Sequence, residues 1–232
     1  MLSLDPAEWQ ALTLTLKVAA AALAATLPLA IFVGYALARW RFPGHGLLNG
    51  LVHMPLVLPP VVTGFILLVL FGRRGPVGSF LDEHFGIVFA FNWAGAALAA
   101  GVMAFPLMVR PIRLAIEAVD PKLDEAAATL GVGRAVVFLV VTLPLAAPGI
   151  LAAAILGFAK AMGEFGATIT FVSNIPGETR TLALALYTAA QTPDGDLAAF
   201  RLTIIAAVVA FAALIASELV ARALARRVGV AA

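Results

Sequence analysis

Cysteine is absent from the 232 residues. That excludes disulfides, thiol catalysis and thiolate metal sites. Histidine is scarce as well. His45, His53 and His84 are scattered and give no metal-ligand spacing, so no metal site is expected. Charge is the next shortage. Charged residues make up 12% of the chain and apolar residues 62%, against about 25% and about 45–50% in soluble domains. There is too little polar surface to clothe a soluble enzyme, and a disordered chain is excluded too. The solvent for most of this chain is lipid. Fifteen basic and thirteen acidic residues leave a net charge of +2, too weak a field for a nucleic-acid partner. No Gly-x4-Gly-Lys-Ser/Thr pattern occurs, so the chain lacks a phosphate-binding loop.

What is present is a set of long apolar runs. A bilayer core needs roughly 20 apolar residues per helix. Five runs qualify: about 10–38, 50–71, 89–109, 136–161 and 202–221. The first is too long for a signal peptide, no basic region precedes it, and Arg39 and Arg41 follow it; it reads as a retained helix. Topology follows from Lys and Arg. With the N-terminus outside, the inner segments hold Arg39, Arg41, Arg110, Arg113, Lys122, Arg134, Arg222, Arg226 and Arg227. The outer segments hold only Arg73, Arg74, Arg180 and Arg201. This asymmetry favours an outside N-terminus and a cytoplasmic C-terminus. No water-soluble domain or internal repeat is visible. Residues 1–232 read as one all-α polytopic membrane domain.

Prolines punctuate two spans. Pro55, Pro59 and Pro60, with Gly64, predict a kinked second span, and Pro144 and Pro148-Gly149 do the same in the fourth. His53 in the second span reads as a proton carrier or as a histidine hydrogen-bonded between helices. Arg73 and Arg74 read as a solvated loop, a docking rim, or an attractor for an incoming anion.

Residues 162–201 fit neither a span nor a simple loop. A short helix is predicted over about 181–191, and the backbone around Gly163, Glu164 and Gly166 is irregular. Irregular backbone at membrane depth is tolerated only where protein or water covers it, so this segment is a candidate pathway lining. Glu164 is either half of an i,i+4 pair with Lys160 or a residue that shapes the gate. Thr168, Thr170, Ser173 and Asn174 offer neutral donors suited to an oxyanion, or else ordinary hydrogen bonds within helices. Phe165 and Gly166 complete the set of pathway and gate candidates.

The segment 110–135 carries the sharpest local signals. Asp120 is a helix N-cap and Pro121 suits the first helical position. Asp124 and Glu125 sit near the positive end of the helix dipole. Gly131 and Gly133 stop the helix. A helix over about 120–131 is about 15 Å long, too short to span. Leu123, Ala126, Ala127 and Leu130 form one apolar face, with Glu125 pointing the other way. Such a helix suits a partner's groove or the lipid surface. The absence of a basic polar face favours a protein partner.

These residues resemble a known family. Glu125-Ala126-Ala127, three residues, Gly131, nine residues, then Val141-Thr142-Leu143-Pro144 is similar to the EAA loop of ABC-importer permeases. Val141 stands where Ile is usual. Phe42-Pro43-Gly44 and Met54-Pro55-Leu56-Val57-Leu58-Pro59-Pro60-Val61-Val62 resemble molybdate and tungstate permeases. So does the run from Gly163-Glu164-Phe165-Gly166 to Thr179-Arg180-Thr181. The similarity covers roughly residues 10–225.

The resemblance implies an ABC-importer type I permease fold of five transmembrane helices with a cytoplasmic coupling helix. Glu125, Ala126, Ala127 and Gly131 would form the ATPase-coupling site. The chain would be a non-catalytic homodimer in the bacterial inner membrane. Two ATPase subunits would use ATP and Mg, so no cofactor is expected in this chain. An extracytoplasmic binding protein would deliver molybdate or tungstate. A sulfate or thiosulfate permease is the nearest alternative. An ion-coupled carrier would want inverted repeats and buried ionisable residues, and a membrane hydrolase would want paired acids or metal spacings. Five spans without visible repeats speak against the carrier, and the pattern a hydrolase needs is absent.

Overall fold

The computed structural model describes residues 5–129 and 131–228. Every regular element among them is helical: α1 (Pro6–Arg39), α2 (His45–Val57), α3 (Pro60–Phe71), α4 (Pro76–Phe85), α5 (Trp93–Glu117), α6 (Pro121–Thr129), α7 (Arg134–Val137), a π-helical turn (Phe138–Thr142), α8 (Leu143–Met162), α9 (Gly166–Val172), α10 (Leu182–Ala190) and α11 (Asp196–Val228). Four helices are long and apolar enough to cross a bilayer: α1, α5, the continuous run Arg134–Met162, and α11. The bent pair α2–α3 makes a fifth if it counts as one span.

Helix α5 is the axis of the bundle, with α1 and α8 packed most extensively against it. Its sequence explains this. Ala96, Ala97, Ala99, Ala100, Gly101 and Ala104 are all buried and let neighbouring backbones come close. Inside lipid, such close packing replaces the hydrophobic drive that holds soluble bundles. Gly157 of α8 shows how tight the fit is: a Cβ there would lie 2.5 Å from Met108 Sδ. Larger side chains fill the far end of the same seam, where Met108, Val109, Ile112 and Ile116 are fully buried.

The second span departs from expectation. It is broken rather than kinked. Residues α2 and α3 meet at 116° across Leu58-Pro59. Leu58 and Pro59 both adopt extended ψ, 141° and 136°, because each precedes a proline. Pro55, in contrast, is absorbed inside α2. The third span is also longer than expected, running on through Pro106 and Pro111 to Glu117. Asn92 caps its start by accepting from Gly95 N–H at 3.0 Å. Arg113 Nε pairs with Glu117 Oε1 at 2.7 Å near its end. Two short helices, α4 and α9, appear where the apolar pattern predicted none. Pro76 starts α4 and Gly86, at φ +66°, stops it, a punctuation readable in the sequence.

The two ends of the bundle are defined by contacts. Arg39, at the end of α1, donates from Nη2 to Val119 O at 2.9 Å, beside α6. At the other end Glu8 accepts from Arg201 of α11 at 2.5 Å, and Thr15 Oγ1 accepts from Leu182 N–H of α10 at 2.8 Å. Lys17, near that same end, places its ammonium 3.6 Å from the Trp93 ring centre, which gives a cation in an apolar helix an aromatic partner.

Candidate functional site

The α6 end holds the first constellation. Asp120 Oδ1 accepts from Lys122 N–H at 2.9 Å, the expected cap. Gly131 takes φ +75°, and Val132 N–H returns to Ala127 O at 3.4 Å. That is the 6→1 bond of a left-handed helix stop. Leu123 is 44% exposed and Ala126 is exposed too, while Ala127 is half-buried, so the start of the apolar face is open among the described residues. Leu130, the last member of that face, lies outside the described residues. Glu125 lines a cavity of about 480 Å³ behind the helix, with Tyr35, Arg39, Trp40, Arg134 and Phe138. The segment after Gly131 leads through α7 into the π-helical turn, where Leu143 N–H reaches back to Phe138 O. Phe138 packs edge-on against Tyr35 at 4.8 Å.

The second constellation lies where α8 gives way to α9. Glu164 is 3% exposed. Its Oε2 accepts from Lys160 Nζ at 2.6 Å, and its Oε1 accepts from Ala167 N–H at 3.0 Å. The carboxylate is therefore both paired and bound to the positive end of α9. Of the two readings of Glu164, the paired one describes the geometry. Phe165 stacks at a tilt against Tyr187 with centroids 4.9 Å apart. Thr168 is buried, and Thr170 Oγ1 donates within its own helix to Gly166 O at 2.9 Å.

This break faces the break between α2 and α3. A Cβ on Gly166 would sit 2.7 Å from Pro60 Cβ, and one on Gly64 would sit 2.5 Å from Ala167 O. Glycine alone permits that approach. Thr63 Oγ1 is buried at this crossing with no hydrogen-bond partner among the described residues. Hydropathy carries no signal for a lone threonine hydroxyl, so Thr63 escaped the sequence reading.

Ser173 and Asn174 sit apart from Glu164, on the loop leading to α10. Ser173 holds φ 64° and ψ −160°, a region nearly reserved for glycine. Asn174 accepts from Arg180 Nε at 2.9 Å and donates to Thr188 Oγ1 at 2.7 Å. One N–H and the carbonyl oxygen of its amide are thus engaged by neighbouring side chains. Arg180 entered the sequence reading as a topology charge and as part of the run that carries the family resemblance, not as a site candidate; the run Gly177-Glu178-Thr179-Arg180 gives no periodic signal that would have singled it out. His53 bonds the Asn49 carbonyl of its own helix at 2.8 Å, and Arg73 and Arg74 are exposed.

Residues 10–230 match the family of binding-protein-dependent transport system inner membrane components. The chain belongs to this family. Among its relatives, the molybdenum transport system permease protein ModB of Escherichia coli K12 is 56% identical over 229 residues, covering 99% of this chain and 100% of that protein. The ModB protein of Haemophilus influenzae is 49% identical over 222 residues, covering 96% and 97%. The sulfate transport system permease protein CysT of Salmonella typhimurium is 36% identical over 164 residues, covering 71% and 59%. Two solved structures share the fold. A bacterial ABC transporter involved in alginate import gives a TM-score of 0.71 at 16% identity, covering 97% of this permease and 80% of that chain. The MetNI methionine ABC transporter gives 0.69 at 15%, covering 94% of each. The permease is thus an all-α multi-pass membrane protein of the importer class, and the sulfate relative is more distant than the molybdenum ones.

Proposed function

We propose that this permease is the passive transmembrane subunit of an ATP-driven importer of molybdate or tungstate. The observation that carries the reading is the 56% identity to a molybdenum permease along the full length of both chains. A separate ATPase supplies hydrolysis, and α6 is the docking element for it. The support is local. Leu123 and Ala126 on the apolar face of α6 are exposed, its start is capped, and its stop at Gly131 is fixed by a left-handed turn. Glu125, Ala126, Ala127 and Gly131 form the coupling site.

The permease works as a homodimer, with the path at the two-fold interface. The α2–α3 break supports this. Pro59 and Pro60 have no N–H to return to the carbonyls of Pro55 and Leu56. Yet the break is exposed on the single chain, with Val57 at 84%. Lipid does not tolerate such backbone, so a second copy or a water-filled path covers it. The crossing of Pro60 and Thr63 with Gly166 and Thr170 then lines the gate. The cavity of about 740 Å³ between α1, α8, α10 and α11 is lined by Leu23, Leu151, Phe158, Leu186 and Ala206. It offers an oxyanion almost nothing polar and is no part of the path. An extracytoplasmic binding protein delivers the anion at the α10 end. The N-terminus lies outside and the C-terminus in the cytoplasm, as the Lys/Arg asymmetry requires.

The test is reconstitution of the permease with its ATPase and binding protein in vesicles. ATP-dependent molybdate accumulation is expected. No accumulation, or a preference for sulfate over molybdate, would overturn the reading.

A further inference from the structure

The loop between α9 and α10 holds an arginine in an uncommon setting. It is anchored to α1 through Leu182 N–H and Thr15 Oγ1 at 2.8 Å. Thr15 is nine residues into α1, about 14 Å along the axis from its start. The loop therefore sits beside α1 near the level where α5 begins, since Trp93, the first residue of α5, lies on Lys17 just beyond Thr15. It is also rigid. Ile175 O accepts from the N–H groups of Glu178, Thr179 and Arg180. Thr179 is fully buried; its Oγ1 donates to Ser173 O at 3.2 Å and accepts from Ile175 N–H at 2.8 Å. Ser173 is strained to close the turn.

Arg180 is mounted on this frame. Every proton in its support is assigned. Thr188 Oγ1 donates to Leu184 O at 2.9 Å, so it accepts from Asn174 Nδ2, and Asn174 Oδ1 must face Arg180 Nε. Only Nε is consumed. The two Nη groups make no hydrogen bond and no ion pair among the described residues. The nearest acid in sequence, Glu178, is exposed, while Glu164 is committed to Lys160. A fixed guanidinium with its outer edge free matches two oxygens of a tetrahedral oxyanion.

We propose that Arg180, positioned by Asn174, is the landing group that receives the oxyanion as it leaves the binding protein. This rests on the importer reading above. A single guanidinium gives a weak site, which suits a group that must pass the anion on. Arg180 contacts substrate; Asn174 is a positioning residue.

The experiment uses the assembled complex in vesicles with Arg180→Gln, Arg180→Lys and Asn174→Asp. Asn174→Asp is the discriminating variant. Aspartate keeps an acceptor for Nε, and Thr188 can turn its hydroxyl toward it, so a merely structural contact survives. It also places a negative charge on the guanidinium and repels the anion. Expected is a fall of at least about ten-fold in maximal molybdate uptake at saturating loaded binding protein, for both Arg180→Gln and Asn174→Asp. Half-saturation by binding protein, and the ATP hydrolysis it stimulates, stay at wild-type values. Arg180→Lys restores part of the uptake. Uptake by Asn174→Asp within about two-fold of wild type would overturn the proposal. So would a raised half-saturation at unchanged maximal uptake, which would make Arg180 a contact for an acidic patch on the binding protein. A wild-type complex that imports no molybdate fails at the importer reading itself and takes this assignment with it.

Discussion

Removing the charge of Glu164 separates a structural carboxylate from a gating one. Its side chain is 2% exposed and its partner Lys160 29%. Glu164→Gln keeps an oxygen for Ala167 N–H but abandons the ammonium. Breaking a fully buried pair costs about 3–5 kcal/mol. Lys160 is partly exposed and can reach toward water, so about 1–3 kcal/mol is expected here. Glu164→Ala also strips the cap from α9 and adds about 1 kcal/mol. Lys160→Met with Glu164→Gln removes both charges together and should recover most of the stability lost by Glu164→Gln alone. The assays are thermal unfolding of the purified complex and molybdate uptake in vesicles. If Glu164 is structural, stability and uptake recover together in the double variant. Recovery of stability with uptake still abolished would refute the reasoning and restore Glu164 to the gate.

The remaining predictions concern the coupling end, the crossing and the topology. Gly131→Val forces a β-branched residue to φ +75°, at a cost of about 1–3 kcal/mol; uptake should fall while membrane insertion and binding-protein docking persist, measured by uptake and co-purification. Ala127→Arg should be worse and should reduce ATPase association, because a long charge must desolvate in a small-residue contact. Normal uptake and association in both would leave α6 as a surface element only. Gly166→Leu should block closure of α9 onto α3, since even a Cβ would meet Pro60 at 2.7 Å, so uptake should vanish while co-purification of the ATPase persists. The purified permease alone should hydrolyse no ATP. With no native cysteine to confuse labelling, a cysteine at Arg74 should react only from outside and one at Lys122 only from the cytoplasm; the reverse would invert the topology.

Span count, the α6 helix and its stop at Gly131 were legible because each has a local cause. Apolar runs, an Asp-Pro start and a glycine stop act within a few residues of themselves. The break at Pro59 was half legible. Two adjacent prolines announce a disturbed helix, but whether it bends or turns through 116° depends on what packs against it. The partners of Asn174 were not legible, because Arg180 and Thr188 reach it through a strained turn at Ser173 rather than through a helical repeat. The second partner of Glu164, the N–H of Ala167, was not legible, because the apolar pattern around Gly166 did not show where α9 begins. The unpaired hydroxyl of Thr63 is a property of three dimensions only.

The π-helical turn at Phe138–Thr142 gives the link between α6 and α8 a torsional character. An α-helix advances about 100° per residue, so a turn carrying one residue too many leaves the stretches on either side out of phase by about that angle. Returning this turn to α geometry expels the surplus residue, rotates α7 about its axis and draws it along by about 1.5 Å. On the proposed docking of an ATPase at α6, a push delivered through Gly131 would reach α8 as a twist. The Tyr35 ring, leaning on Phe138, would be the bearing against which that twist works, so that the proposed coupling motion reaches α8 as a screw rather than a hinge.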